Sequence, residues 1–146
     1  MQFLFISFID DSYFYFYHRA LHNNIWLFRK IHKIHHKAYS PVSIEYIYVH
    51  PLEWLGGTGG LVLAYILLFL IVGSLNCYVF LCYLTFRTVH ELDIHSGVSS
   101  FFAKYIPFFA PAEHHDLHHE KPALGNYAAT YVLWDRWLGT LAKVKK

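Results

Sequence analysis

Histidines, which bind metals and carry protons, recur in this chain at spacings that put their side chains on common helix faces. Twelve of the 146 residues are histidine. Residues three or four positions apart lie on one face of a helix, so each of three short segments predicts a group of neighbouring imidazoles. The segments are HRALH (His18 and His22), HKIHH (His32, His35 and His36) and HDLHH (His115, His118 and His119).

The number of donors predicts more than one metal. A zinc site takes three or four ligands, whereas these segments offer eight ring nitrogens from three helices. We therefore expect two metals that share a site and act on one substrate. Scattered surface or interfacial histidines are the alternative, and a lone HxxxH would not exclude it. Two HxxHH segments and one HxxxH in a short chain make it a poor explanation.

The spacing does not identify the metal, because imidazole suits zinc, iron, copper and nickel. Two features favour redox iron over hydrolytic zinc. The donors are almost all neutral imidazoles, without the carboxylates usual in two-metal hydrolases. The predicted site also adjoins an apolar, aromatic wall, which suits a lipid substrate better than a polar ester or phosphate.

The composition indicates a membrane protein, since 55% of the residues are hydrophobic and 20% are aromatic. A net charge of +2 argues against nucleic-acid binding by bulk electrostatics. Residues 57–86 contain no charged side chain. A full membrane span needs about 20 residues, so this segment predicts either one long helix or a hairpin broken near residues 73–76. The hairpin arms would run from Pro51 to about Val72 and from Leu75 to about Ile94.

Two independent arguments favour the hairpin. The first two histidine segments precede the apolar stretch and the third follows it, so they can share a site only if the chain returns to its starting side. Basic residues also flank both ends, as expected when both ends are cytoplasmic. These residues are Arg19, Arg29, Lys30, Lys33 and Lys37 before the stretch, and Arg87, Lys104, Lys121, Arg136, Lys143, Lys145 and Lys146 after it.

We therefore predict an all-α integral membrane protein with a single domain, residues 1–146. A membrane hairpin over about 51–94 would carry a cytoplasmic-side helical cap with a histidine-rich di-metal site. Residues 1–17 are mostly apolar, with Asp10 and Asp11 as the charged residues, and we expect half of a membrane helix or the edge of a truncated chain. The aromatic run 13–17 either walls a lipid path or forms an interfacial belt.

The returning arm would place further side chains beside the site. His95 is predicted to be a ligand at the foot of that arm. Either His90 faces the site as a further ligand, or Glu91, four residues before His95, does so instead. His50 precedes Pro51 and is expected to order the start of the first arm rather than bind metal.

Supporting residues are expected around the ligands, because a metal-bound imidazole usually donates its other N–H to a carboxylate or a carbonyl. Asp11 and Asp116 are candidates for this outer shell, or else solvated acids. His114 points off the face of HDLHH, which predicts an outer-shell partner or a packed residue.

HRALH, HKIHH and HHDLHH, in this order and with a membrane hairpin between the second and third, resemble the fatty acid hydroxylase/sterol desaturase superfamily of membrane non-haem di-iron enzymes. The resemblance extends from Asp11 to Thr140. The segments IEYIYVHPLEWLGGTGG, LDIHSG and EHHDLHH with GNYAATYVLWDRWLGT look most like the C4-methylsterol oxidase (methylsterol monooxygenase) branch. Cholesterol 25-hydroxylase-like proteins share HKIHH, HSG, HHDLHH and the ending, but the HPLE and GTG stretch looks less like them.

The resemblance implies an O2-dependent oxidoreductase, a monooxygenase of lipid metabolism and sterol biosynthesis. It implies two Fe ions, O2 as the oxidant and electrons from NAD(P)H through cytochrome b5 or a similar carrier. Carried over position by position, the iron ligands would be His18, His22, His32, His35, His36, His115, His118 and His119, with His95 as a further ligand. On this reading the 4-methyl group of a sterol is oxidised in repeated rounds to a carboxylate.

The implied location is the endoplasmic reticulum membrane in a eukaryote or the cytoplasmic membrane in a bacterium, with the active site on the cytoplasmic face. Relatives often have further membrane helices before the first histidine segment, so the resemblance implies that this chain is either a fragment or a reduced member of the superfamily. Another sterol, fatty acyl or carotenoid hydroxylase or desaturase is the alternative within the superfamily. A membrane metal-binding or transport protein is a different class, and it would place polar ligands within its spans, where residues 57–86 have none.

Overall fold

The structure, a computed structural model, describes residues 1–39 and 41–142. Regular secondary structure in these residues is entirely helical, which confirms the all-α prediction. The α-helices are α1 (Gln2–Asn23), α2 (Ile25–Lys30), α3 (Pro51–Gly57), α4 (Gly59–Val72), α5 (Cys77–Ile94), α6 (Ala112–Glu120) and α7 (Leu133–Trp137). The 3-10 helices are His32–Lys37, Ser43–Ile47, Phe102–Lys104 and Pro122–Leu124. Of the basic residues used above, Lys143, Lys145 and Lys146 lie outside the described residues.

The predicted hairpin is present as a helix–turn–helix. Pro51 begins α3, and His50 caps it, since the His50 Nδ1 accepts a hydrogen bond from the Leu52 N–H at 3.1 Å. α4 ends at Gly73, whose φ of 71° ends the helix in the left-handed region. The Asn76 side chain then caps α5 by accepting from two backbone N–H groups. The turn therefore lies where the sequence predicted it.

Taken together as one helical stretch, α3 and α4 (Pro51–Val72) are long and apolar enough to cross a membrane, the one such stretch in the described chain. Large apolar side chains along it are exposed, such as those of Leu70 and Ile71, which are 74% and 70% exposed. The second arm, α5, does not meet the same criterion. Crossing by the second arm therefore stays a prediction, as does the cytoplasmic position of the cap.

α1 is one unbroken helix that packs against both arms. Ile6 lies in a buried cluster with Ala64 and Leu68 of α4 and Tyr83 of α5. Asp10 is buried in this interface because it has partners there: its Oδ2 accepts from the Tyr83 hydroxyl at 2.8 Å and from Arg87 Nε at 2.9 Å. Asp10 therefore joins α1 to α5 and does not interrupt α1.

Asp11 has a different role from the outer-shell one considered above. Its Oδ1 accepts hydrogen bonds from the backbone N–H groups of Thr130 at 2.8 Å and Tyr131 at 3.2 Å. It thereby fastens the segment after α6 to α1, and no hydrogen bond joins it to a histidine among the described residues. Neither alternative from the sequence holds, because this carboxylate is buried and paired with backbone.

The segment after α6 depends on a glycine. Gly125 has a φ of 118°, and an added Cβ would collide with the carbonyl oxygen of Thr140. We expect Gly125→Ala to lower the free energy of unfolding by about 2 kcal/mol or more, because strained backbone alone costs about 1–3 kcal/mol. Chemical denaturation of the chain in detergent micelles measures this loss.

Gly73→Ala is the matched control, since Gly73 also has a positive φ but no described atom lies within 4 Å of an added Cβ. This variant should lower the free energy of unfolding by about 1–2 kcal/mol, which is the cost of a left-handed backbone without a collision. Equal losses for both variants would contradict the steric argument at Gly125.

Candidate metal centre

Nine histidines converge into two groups. In each group the residues offer one ligand atom apiece, and these atoms all lie within 4.8 Å of one another. The five-histidine cluster contains His18, His22, His32, His36 and His118, and the four-histidine cluster contains His35, His95, His115 and His119. α1 contributes only to the first cluster and the end of α5 only to the second, whereas the 3-10 helix His32–Lys37 and α6 contribute to both.

The two clusters are adjacent. The ring centroids of His36 and His119, one from each cluster, are 4.9 Å apart, and those of His32 and His35 are 5.6 Å apart. Two metals, one in each cluster, would therefore face a common space. This arrangement supports the expectation of two metals that act on one substrate.

Each HxxHH segment divides between the clusters instead of presenting one three-donor face. The first and last histidines of each segment stay together, while the middle one joins the other cluster: His118 is separated from His115 and His119, and His35 from His32 and His36. Neighbouring residues of an α-helix point about 100° apart, so His118 and His119 cannot aim at one point. Their rings are 6.0 Å apart and nearly perpendicular, at 85°.

The spacing of the ring nitrogens suits shared ions. His32 Nε2 lies 2.8 Å from His22 Nε2 and 3.1 Å from His36 Nε2. In the other cluster, His115 Nε2 lies 3.0 Å from His95 Nε2 and 3.1 Å from His119 Nε2. Imidazole nitrogens about 2.0–2.1 Å from one ion, with ligand angles of 90–109°, would be about 2.8–3.4 Å apart. The observed separations fall in this range.

Hydrogen bonds on the far side of the rings fix which nitrogen carries the proton. His18 Nδ1 donates to the carbonyl oxygen of Tyr127 at 2.8 Å, and His118 Nδ1 donates to that of Gly125 at 2.7 Å. A carbonyl only accepts, so Nδ1 is protonated and each Nε2 of the neutral ring holds a lone pair. His119 Nδ1 likewise donates to the carbonyl oxygen of Ala38 at 2.8 Å.

Lone pairs that face one another at about 3 Å repel unless a cation lies between them. His118 Nε2 is buried and has no hydrogen-bond partner in the described part of the chain, which costs free energy if nothing binds there. A metal ion in each cluster would satisfy the Nε2 atoms that face it. The donor set therefore fits metal binding, and the far-side hydrogen bonds are the outer-shell pattern of metal-bound histidine.

Burial keeps the rings neutral in the absence of metal. Desolvation lowers the pKa of His119 to about 4 and that of His36 to about 3, and it lowers the pKa of His118 well below its usual value. Neighbouring imidazoles lower these pKa values further, because two positive charges would repel. Neutral rings at pH 7 are the form that binds metal.

Glu53 is a site residue that the sequence analysis missed. It is buried on α3, and its Oε1 accepts a hydrogen bond from His32 Nδ1 at 2.7 Å. The carboxylate therefore orients the ring and holds its Nε2 toward the cluster. The sequence feature that could have identified Glu53 is its position as a lone acid in HPLEW, two residues after Pro51, at the start of an apolar helix.

Removing this support should weaken the five-histidine cluster. We expect Glu53→Ala to lower metal affinity about 10–100-fold, the usual effect of losing an outer-shell partner, because His32 Nδ1 is left as a buried donor without an acceptor. Competition with a chromophoric chelator measures the affinity. Glu53→Gln is the control, because its amide oxygen can still accept from Nδ1, so it should lose clearly less. Equal affinities for wild type and Glu53→Ala would show that the carboxylate does not support the ring.

The two histidines of the returning arm have different positions. His95, just after α5, is in the four-histidine cluster, and its Nδ1 donates to the carbonyl oxygen of Glu91 at 2.8 Å. His90 is in neither cluster. Its Nε2 donates to the carbonyl oxygen of Ala129 at 3.0 Å, and its ring packs 4.5 Å from that of Phe109. Of the two alternatives at this position, Glu91 is the residue beside the site.

The outer-shell candidates of α6 also differ from each other. His114 Nε2 donates to Asp135 Oδ2 at 3.0 Å, and Asp135 in turn accepts from the backbone N–H of Tyr127 at 3.1 Å. Since the Tyr127 carbonyl accepts from His18, His114 supports a ligand only through this chain of bonds. Asp116 is partly buried, and its Oδ1 has no partner among the described residues, so the structure gives it no contact with a ligand.

A cavity of about 90 Å³ lies between both clusters and the hairpin. Its polar lining comes from clustered histidines and from residues that include Glu53, Thr58, Arg87 and Glu91; its apolar lining includes Phe14, Trp54 and Ile94. Drug-sized ligands occupy about 300–1,000 Å³, so the cavity can hold only the reacting end of a large substrate. The lining is mostly apolar, which suits a lipid.

Comparisons with known proteins agree with this chemistry. A model of the family described as fatty acid hydroxylase matches residues 3–140. Methylsterol monooxygenase 1 of Rattus norvegicus is 40% identical over 134 residues, which are 90% of this chain and 43% of that protein. A methylsterol monooxygenase of Aspergillus fumigatus is 37% identical over 90% of this chain and 45% of its own length.

Methylsterol monooxygenase 1 of Danio rerio is 35% identical over 94% of this chain and 46% of its own length. The chain thus spans about half the length of the curated relatives it matches. No solved structure matches the chain significantly.

Proposed function

The chain belongs to the fatty acid hydroxylase family, and on that premise we propose that its nine clustered histidines hold two irons for the oxidation of the 4-methyl group of a sterol. The observation that carries the proposal is the pair of adjacent clusters, in each of which the possible ligand atoms lie within 4.8 Å of one another. The sterol substrate is supported by the names of the relatives, which are methylsterol monooxygenases.

The irons, when bound, supply the reductive activation of O2 and the oxidation of an unactivated C–H bond. The protein's part is to hold the metals, to position the carbon and to exclude water. The far-side carbonyls and Glu53 hold the rings in place. The apolar lining of the cavity, from Phe14, Trp54 and Ile94, would receive the hydrocarbon and leave little room for bulk water.

The electrons are proposed to come from NAD(P)H through a carrier such as cytochrome b5. Exposed basic side chains lie on α2 and on the 3-10 helix that bears the second histidine segment; they are Arg29, Lys30, Lys33 and Lys37. Such a surface would attract an acidic carrier protein. A cytoplasmic face for this surface follows from the positive-inside rule, with the endoplasmic reticulum membrane or a bacterial cytoplasmic membrane as the location.

Oxidation of a defined substrate tests the proposal. The chain is expressed in membranes, its iron content is measured, and a 4-methylsterol and a fatty acid of matched length are supplied with O2 and a reductant. We expect iron and conversion of the methyl group to its alcohol, aldehyde and acid. Oxidation of the fatty acid alone would replace the sterol by an acyl chain, the substrate class in the family's name. One structural zinc and no oxidation would overturn the oxygenase proposal.

A further inference from the structure

Arg87 lies in the wall of the cavity between the clusters, with only part of its hydrogen-bonding capacity used. Its Nε donates to Asp10 Oδ2 at 2.9 Å, and its Nη2 donates to the carbonyl oxygen of Gly57 at 3.1 Å. These two bonds hold the planar guanidinium in one orientation. No hydrogen bond from Nη1 occurs within the described residues, and the side chain is 25% exposed.

The ion pair with Asp10 explains why a cation lies here, but it does not explain the N–H donors of the guanidinium that the pair leaves unused. A guanidinium has five N–H donors, and the ion pair with the Gly57 contact occupies two. If Arg87 served only to neutralise Asp10, it would not need to line the cavity. The remaining donors have no hydrogen-bond acceptor among the described residues, so they are available to a ligand in the cavity.

Glu91 provides an acceptor in the same place. It lies four residues after Arg87 on α5, hence on the same helix face, and both line the cavity with His35, His95 and His115. The pair therefore offers a donor and an acceptor next to the four-histidine cluster. An alcohol uses both, because its oxygen accepts and its proton is donated; a ketone uses only the donor, and a hydrocarbon uses neither.

We infer that Arg87 and Glu91 form the subsite for the substrate's hydroxyl group and so select an alcohol beside the carbon that is oxidised. The inference rests on the proposed function, because a sterol carries its hydroxyl on the ring carbon next to the one that bears the 4-methyl group. Directing that methyl group to the metals therefore brings the hydroxyl to the adjoining wall. Arg87 and Glu91 fix the ring's orientation, and the small cavity receives only this end of the molecule.

Binding to the redox-inert zinc-loaded chain tests the subsite without turnover. Dissociation constants are measured for three ligands by displacement of a fluorescent sterol: a 4-methylsterol, its 3-ketone and its 3-deoxy analogue. We expect the alcohol to bind at least about tenfold more tightly than the deoxy analogue, as for a hydrogen bond to a charged group, with the ketone between them. Equal binding of all three by the wild-type chain would overturn the inference without any variant.

Arg87→Lys keeps a cation beside Asp10 but removes the guanidinium fork. It should reduce the preference for the alcohol to less than about threefold while leaving the affinity for the deoxy analogue unchanged. Arg136→Lys is the matched control, since Arg136 is exposed and lies over the Phe108 ring instead; it should keep the full preference. Equal weakening of alcohol and deoxy analogue by Arg87→Lys would assign Arg87 a purely structural role and overturn the inference.

The proposed function can fail separately. If the iron-loaded wild-type chain oxidises no 4-methylsterol, the function is wrong whatever the binding preference. If it oxidises the alcohol and the deoxy analogue at equal rates and binds them equally, the function stands and the subsite is wrong.

Discussion

Replacing His118 with alanine is expected to empty the five-histidine cluster and to abolish oxidation. The His118 ring lies among three others of the cluster, 4.6 Å from His18 and from His22 and 4.8 Å from His36 between ring centroids. Its Nε2 has no hydrogen-bond partner among the described residues and is available to a metal ion, while its Nδ1 is held by the Gly125 carbonyl oxygen. Because outer-shell losses alone cost about 10–100-fold, we expect metal affinity and oxidation rate to fall by more than about 100-fold.

The measurements are iron per chain by emission spectrometry and the rate of sterol oxidation. His50→Ala is the control, because His50 caps α3 and is in neither cluster. Losing such a cap costs about 1 kcal/mol of stability and should leave the metal in place. Equal iron loss in the two variants would show that the clusters do not distinguish ligands from other histidines.

Replacing Asp135 with alanine is expected to give the largest loss of stability. Asp135 is fully buried, and its carboxylate accepts four hydrogen bonds. The donors are His114 Nε2 at 3.0 Å, the Tyr127 N–H at 3.1 Å, the Ala128 N–H at 2.9 Å and the Thr140 hydroxyl at 2.6 Å. Each buried donor left without an acceptor costs about 1–3 kcal/mol, so the free energy of unfolding should fall by at least about 3 kcal/mol.

Denaturant titration in detergent micelles measures the change, with metal affinity as a second readout. Affinity should also fall, because the Tyr127 carbonyl that orients His18 would be released. Asp116→Ala is the matched control: its Oδ1 has no described hydrogen-bond partner, so its loss should change stability by less than about 0.5 kcal/mol. An Asp135→Ala chain as stable as the control would show that these bonds do not hold the segment.

The histidine segments and the hairpin turn were readable because both are local patterns. The spacing of HRALH, HKIHH and HDLHH fixes which imidazoles share a face of their own helix. The glycine at 73 and the cap at Asn76 are turn signals within a few residues of one another. The family resemblance stated from these segments is confirmed by the match over residues 3–140.

The division of the histidines into a five-histidine and a four-histidine cluster could not be predicted from the sequence, because spacing does not give the rotation of one helix against its neighbours. The same reason applies at His90 and Glu91, where the sequence left open which of the two faces the site and the packing turned His90 toward Phe109. Asp11 was misassigned because its partners are backbone N–H groups about 120 residues away, and backbone groups carry no sequence signal.

The sequence alone thus determined the all-helical class, the turn between the arms and the set of imidazoles that could bind metal, since each depends on neighbours along the chain. Only the tertiary structure decided how those imidazoles divide, which ring nitrogen carries the proton and that Glu53 holds His32. Those properties depend on carbonyls and carboxylates that approach from distant segments: Ala38 reaches His119 across 81 positions. Their positions are set when α1, the hairpin and α6 pack together.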